Sequence, residues 1–328
     1  MDLHSRRDFL ARAAGAGILA AQGAGVTSLP AFAADKPLDM AIARWSGAAQ
    51  PNADQLRQIA ARLTEKAIEG MGGLKRFLRK GDVVWIKPNI GWNRKPELAA
   101  NTNPDVVATL VRLCLEAGAK TVKVGDNPVN PAAKTYPASG IADAARAQGA
   151  QVVLLDRGRF KDTAIGGEFI KTIPIYPEIL DCDLVINVPI VKHHNLPGYT
   201  ACMKNYMGVI DNRKLFHQDI AASLSDITRY MKPRLTVLDA VRVLIAHGPQ
   251  GGMQEDVRLK TTVAAGVDVV ALESLGAELL GKKPQDIATI AKAAQVGLGK
   301  IDYRSLALKE FSLTDFLNSI QESKGVLP

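Results

Sequence analysis

The chain has 328 residues, 47% hydrophobic and 23% charged, with a net charge of +8. That composition is ordinary for a globular protein and ample for a large core. The positive balance favours anionic partners. The basic residues are nevertheless spread along the chain, without an aromatic-interleaved block or a nucleic-acid motif, so a small anion is expected rather than DNA or RNA.

The N-terminus reads as a targeting segment and not as fold. Ser5-Arg6-Arg7-Asp8-Phe9-Leu10 precedes a small-residue apolar run from 13 to 26, and Ala31-Phe32-Ala33 resembles a cleavage site. The pattern is similar to a twin-arginine (Tat) signal over 1–33, lacking only the basic residue that often follows the Phe-Leu pair. The resemblance implies export by the Tat translocon in a folded state, and a periplasmic or otherwise extracytoplasmic location. Removing three arginines and two aspartates with it would lower the net charge to +7. The run is too short for a permanent anchor, and no later segment is long enough to span a membrane.

In chain order, 38–45 reads as a strand and 53–69 as a helix with apolar residues at 3.6-residue spacing. A short apolar strand over 83–86 runs into Lys87-Pro88-Asn89, then a loop rich in Asn, Pro and Gly. Asn103-Pro104 opens a helix to 116, stopped by Gly118. Two similar units follow, 118–126 and 149–156, each with a helix-ending Gly, an apolar strand and a closing Asp (Asp126, Asp156). Residues 168–175 read as an edge strand and 184–189 as a buried strand that empties into Lys192-His193-His194-Asn195. A helix over 220–231, strands over 234–239 and 259–265, and helices over 269–280, 284–295 and 311–323 complete the chain. Helices alternating with apolar strands predict an α/β fold with a largely parallel sheet. Residues 34–328 are expected to form a single domain, with the carboxyl-terminal third as an optional lobe.

In such a sheet the polar residues directly after strands share one edge, where open α/β folds place their sites. Lys87, Asn89, Asp126, Asp156, Lys192, His194 and Asp239 all answer that description. Any one such Asp alone is more often a turn or helix-capping residue. His193 and His194 point to opposite faces of an extended chain, and the spacing Lys192-x-His194 pairs those two side chains. His194 is therefore the preferred site histidine, with His217 completing the set from the far end of the loop. Thr200 is read as a helix N-cap whose free amides, beside Lys192 and Lys204, would suit an anion.

No Walker, G-x-G-x-x-G or G-x-S-x-G motif is present. Cys114, Cys182 and Cys202 are scattered, without the spacing of a zinc ribbon or an iron–sulfur cluster. The cofactor is therefore left open, with a divalent metal as the option.

These motifs resemble the DUF362 family of uncharacterised proteins. The likeness rests on Lys87-Pro88-Asn89, Thr102-Asn103-Pro104, Gly125-Asp126 and Asn187-x-Pro189-x-x-Lys192-x-His194. It continues through Thr200-x-x-x-Lys204-Asn205-x-x-Gly208, His217, Asp239-Ala240 and Gly248-Pro249. Some members carry a cysteine-rich, ferredoxin-like portion; this chain departs from that pattern. A more distant likeness, in Lys192-x-His194, Lys204, Gly208 and His217, is to the lactate racemase family of nickel-pincer enzymes.

The expectation is an exported enzyme that binds a small anionic substrate or cofactor, with isomerase or redox chemistry, metal-assisted or not. Lys192, His194 and Lys204 are its candidate catalytic residues. Lys87, Asn89, Asn205 and Thr200 are the anion-binding set, and His194, His217, Asp126 and Asp239 the metal-ligating set. The alternative is a non-catalytic protein that holds a metal or cofactor, or serves its maturation.

Overall fold

In the computed structural model the described residues are 37–47 and 50–314, so the Tat-like segment 1–33 lies outside them. The described residues form one compact unit.

The first half alternates strands and helices as the hydrophobic periods require. Strand β1 (Met40–Trp45) leads to helix α1 (Ala53–Gly70), which starts in a capping box: Asn52 accepts from the Gln55 amide while Gln55 accepts from that of Asn52. Strand β2 (Val83–Pro88) precedes helix α2 (Pro104–Glu116), where Asn103 caps and Pro104 occupies the first turn. Then come β3 (Thr121–Val124), the short helices α3 (Ala132–Ala138) and α4 (Ile141–Ala147), and the two-residue strand β4 (Gln151–Val152). Strands β5 (Lys161–Ala164) and β6 (Thr172–Ile175) form a separate antiparallel pair. The expected edge strand over 168–175 is thereby corrected. Its first residues, 168–170, turn because their three amides are drawn onto the carboxylate of Asp226.

The second half begins with helix α5 (Pro177–Leu180) and strand β7 (Leu184–Val188), followed by β8 (Ile190–Lys192), helix α6 (Cys202–Asn205) and helix α7 (Ile220–Met231). Strands β9 (Leu235–Leu244) and β10 (Val257–Gly266) precede helices α8 (Val269–Leu279) and α9 (Ala288–Gln295) and strand β11 (Leu308–Leu313). The helix expected from 311 is not formed in its described part. Phe311 pairs with Ala43 in a parallel β11–β1 ladder, and the open edge of the sheet outweighs the local helical period. Residues beyond 314 lie outside the described chain.

The main sheet has the order β11-β1-β10-β9-β7-β2-β3-β4, with β8 paired to β9. Every neighbouring pair is parallel except those made by β10, which runs against β1 and β9. The fold is thus α/β with a largely parallel sheet. Strand residues alternate between two cores, as period-two side chains must. Val84 and Ile86 of β2 face the side covered by α1, α2 and α4, and Trp85 the side covered by α7, α8 and α9.

One feature of the sheet creates the site. Pro189 has no N–H to continue the β7 ladder. Its carbonyl instead accepts the Asp239 amide at 2.9 Å, and the chain stays beside β9 as β8 while its ladder with β2 ends at Val188. The gap left beyond the carboxyl ends of β2, β3 and β7 is the crevice that such sheets use for ligands.

Candidate functional site

A cavity of about 310 Å³ opens at this edge, at the lower end of the ~300–1,000 Å³ usual for small-molecule sites. The loops after β2 and β3 contribute Asn89, Trp92, Asp126, Asn127 and Val129. The end of β8 contributes Lys192, the chain after it His194, Leu196, Thr200, Lys204, Asn205, Met207, Arg213 and His217, and Pro249 closes the wall. Sequence spacing thus brings Asn89, Asp126, Lys192, His194, Thr200, Lys204, Asn205 and His217 to one place.

Beneath it lies a buried polar base. Lys87 is wholly inaccessible, and three protein groups engage its ammonium: it donates to the Pro88 carbonyl at 2.9 Å and to Asn205 Oδ1 at 3.0 Å, and it forms an ion pair with Asp126 Oδ1 at 2.7 Å. A lysine has three protons to give. Lys87 is therefore saturated by protein and does not line the cavity, which corrects its placement among anion-binding groups. The second Asp126 oxygen accepts the Ile90 amide at 2.7 Å. Asn205 donates both its amide protons inward, to the Lys87 carbonyl and to Asn187 Oδ1. Its role is to hold Lys87, not to orient a ligand by donation.

Lys192 stands on this base and faces the opening. Its Nζ donates to Asn89 Oδ1 at 2.8 Å and to the Ala100 carbonyl at 2.6 Å, leaving one tetrahedral position without a protein partner. Burial lowers its pKa to about 7, helped by the neighbouring Lys204 cation and opposed by Asp126. Lys204 is lowered to about 8 by burial and by Arg213.

His194 lines the cavity, whereas the His193 ring turns away and accepts the Gly248 amide at 3.1 Å. The alternation expected of adjacent histidines therefore holds. His194 Nδ1 accepts the Leu196 amide at 3.2 Å, which assigns the ring proton to Nε2. Burial, then Lys204 and Lys192, push its pKa down to about 3, so the ring is neutral at neutral pH. An imidazole poised near its ordinary value, as both acid and base, is not what this environment makes. His217 lines the exposed side, lowered in pKa by burial and Lys204.

Two further expectations are corrected. Thr200 is not a helix cap. Its backbone makes an antiparallel bridge to Lys192, and Ala201 is the N-cap of α6, without a side-chain cap. The Met203 amide is taken at 2.6 Å by Glu273 of α8, whose own pKa burial raises to about 7. That amide is therefore taken by a protein carboxyl group and is not offered to an anion. Asp239, read as a strand-end residue, lies inside the longer β9; its oxygens accept the Asn103 and Val241 amides, and it does not line the cavity. Asp156 caps its own turn through the Gly158 amide.

The proposed metal set does not assemble. Asp239 is elsewhere, Asp126 is committed to Lys87, and among the described residues no three His, Cys, Asp or Glu side chains group to hold an ion. The cations around the two remaining histidines oppose a further positive charge.

Sequence reasoning overlooked Arg213. It lines the cavity, donating through Nε to the Met207 carbonyl at 3.1 Å and through its two Nη groups to the carbonyls of Pro128 and Asn127. Its only signal was a lone arginine in the polar turn between Gly208 and α7. Glu273 gave none, since it lies far along the chain within an apolar helix.

Gly208 belongs to the same base. A Cβ there would stand 1.7 Å from Asp126 Oδ1 and 2.5 Å from Lys87 Nζ, while its carbonyl accepts the Asn127 amide. The loop must pass against the ion pair, and only glycine permits that approach.

A family model described as "Domain of unknown function (DUF362)" matches residues 84–278, which hold every cavity residue. The chain belongs to the DUF362 family. This DUF362 chain is 29% identical over 241 residues to a "Thylakoid-associated protein" of Synechocystis sp., covering 70% of this chain and 73% of that one. Among solved structures it is similar to a Thermotoga maritima protein, at a TM-score of 0.40 and 11% identity over 74% of this chain. It is similar also to the lactate racemase apoprotein of Thermoanaerobacterium thermosaccharolyticum, at 0.37 and 12% over 78%. The matches span 59% and 57% of those two chains' own length. Among the described residues no helix is long and apolar enough to cross a membrane.

Proposed function

We propose that this DUF362 protein is an exported enzyme that binds a small anion in the cavity and moves a proton on it. One observation carries the reading. Lys192, Lys204 and Arg213 line the same small space, while the carboxylate at its wall, Asp126, is neutralised from below by Lys87. Desolvated cations in excess of the carboxylates around them are costly to keep. An incoming carboxylate or phosphate relieves that cost.

The proton chemistry rests on two groups of different character at one site. Lys192, with its pKa near neutrality, can take or give a proton at Nζ. Neutral His194 offers an Nε2–H as a hydrogen-bond donor to developing negative charge. Asn89 holds the Lys192 amine in place at 2.8 Å. That division of labour suits isomerisation next to an anionic group better than hydrolysis, for which no nucleophile and base pair is assembled in the cavity among the described residues. Export by the Tat route is supported by Arg6-Arg7 and Ala31-Phe32-Ala33 alone.

The test is proton exchange. Small 2-hydroxy and 2-oxo acids are incubated with the protein in D₂O and their carbon-bound protons followed by NMR. The parent is expected to exchange them catalytically, with Lys192→Met silent and His194→Gln slowed by about 100-fold, a typical loss for one acid–base or oxyanion-stabilising group. Exchange by Lys192→Met as fast as by the parent would remove the assignment. Stoichiometric binding without exchange would favour a carrier of anionic ligands instead.

A further inference from the structure

The cavity is inverted relative to an ordinary protein surface. Its charged and amide groups are at the bottom, with Lys192 3% exposed, Asn205 3% and His194 8%. Its apolar groups are at the mouth, with Leu196 75% exposed and Val129 54%. Single exposed apolar side chains need no explanation. Here, however, two flank the entrance of one cavity, and Trp92 and Met207 continue the apolar lining inward from them.

The rim is also held in place. The Val129 amide donates to the Gly91 carbonyl at 3.0 Å, and the Trp92 amide to Asn101 Oδ1 at 2.9 Å. On the other side the Leu196 amide donates to His194 Nδ1, tying the exposed leucine to a cavity-lining imidazole. A fixed apolar mouth costs little ordering entropy when something closes over it. Neither Leu196 nor Val129 belongs to a core cluster, so their apolar surface has no internal use.

The geometry points to an amphiphilic anion as the ligand, bound head first: a small carboxylate or phosphate bearing an aryl or branched alkyl group. The anionic oxygens reach the Lys192, Lys204 and Arg213 charges, and the apolar group is covered by Leu196, Val129 and Trp92. This rests on the anion-binding reading above and adds the chemistry of the ligand's other end. A fully hydrophilic anion would satisfy the base and leave the mouth in water.

The experiment compares probes of matched charge. Inorganic phosphate is set against phenyl phosphate, and succinate against phenylsuccinate, by calorimetry and by quenching of tryptophan emission in the full chain. In each pair the probe that binds is expected to gain about tenfold in affinity from the ring, the factor for removing roughly two methylene equivalents of apolar surface from water. Leu196→Ser combined with Val129→Ser should remove most of that gain and leave the affinity for the bare anion unchanged; both residues are exposed, so the fold is not at risk. Trp92→Phe should remove the emission change while binding persists by calorimetry. Equal affinities within each pair, with binding lost in Lys204→Met, would overturn this inference and leave the anion site standing. Absence of binding by all four probes would overturn both.

Discussion

Lys87 Nζ lies 2.7 Å from Asp126 Oδ1, with both side chains at most 2% exposed, directly beneath the cavity. The two come from the ends of neighbouring strands, and the pair removes the negative charge that would otherwise balance Lys192 and Lys204. Breaking a buried pair from one side leaves an uncompensated charge. Asp126→Asn is therefore expected to cost about 3 kcal/mol or more in urea unfolding, and Lys87→Met combined with Asp126→Asn to recover part of that loss. A single Asp126→Asn chain as stable as the parent would mean that the pair does not hold the base together.

Gly208 tests the same base from above. Its replacement by Ala places a methyl group within contact distances that neither Asp126 nor Lys87 can tolerate without moving. Overpacking of this kind typically costs about 1–3 kcal/mol. Gly91→Ala, whose nearest neighbours would be 3.7 Å away on Asn89, is the matched control and should be close to neutral in stability. The outcome against the argument is a Gly208→Ala chain that unfolds at the same urea concentration as the control.

The contrast between Lys87 and Lys192 shows how far the sequence was legible. Both follow an apolar strand, and strand-end logic selected both. What separates them is the third acceptor: Lys87 finds one in Asn205, while Lys192 has only Asn89 and Ala100. That difference is set by packing between distant segments. The same holds for Thr200, whose capping role was lost to Glu273, and for Asp239, whose strand runs on with β8 and β10 paired along it. Periodicity placed the main helices and parallel strands because each signals locally through its own apolar face. It missed β11 and β5, the partner of the strand it read over 168–175, where an available edge or partner decides the structure. The histidine alternation succeeded because it needs only local geometry.

Anion binding should depend on pH with a definite sign. Lys192 and Lys204, with pKa values of about 7 and about 8, carry their protons below those values and lose them above. A bound anion favours the protonated forms, so complex formation takes up protons around neutrality. Affinity for phenyl phosphate or succinate is expected to be highest near the acid end of the range 6–9, allowing for the probe's own ionisation, and to fall as pH rises. Arg213 keeps its charge throughout. In Lys192→Met the decline should begin nearer pH 8, where Lys204 titrates. Calorimetry in two buffers of different ionisation enthalpy measures the proton uptake directly, and none at pH 7.5 would contradict the assignment of both lysines.

Glu273 supplies a pH dependence of stability that is separate from ligand binding. Its carboxyl is buried in α8 behind the site, accepts the Met203 amide, and has its pKa raised by burial to about 7 from an ordinary 4.5. Between those values the folded chain holds a proton that the unfolded chain has released, so this group's contribution to stability declines as pH rises through the window. Glu273→Gln keeps an oxygen for the Met203 amide and has nothing to titrate. Relative to that variant, the parent should lose on the order of 2–3 kcal/mol in urea unfolding between pH 5 and pH 8. Comparing parent with variant cancels the other groups, including His194, whose lowered pKa makes stability rise with pH below its ordinary value. A difference that stays constant across the range would show that Glu273 is ionised alike in both states and caps α6 as a carboxylate.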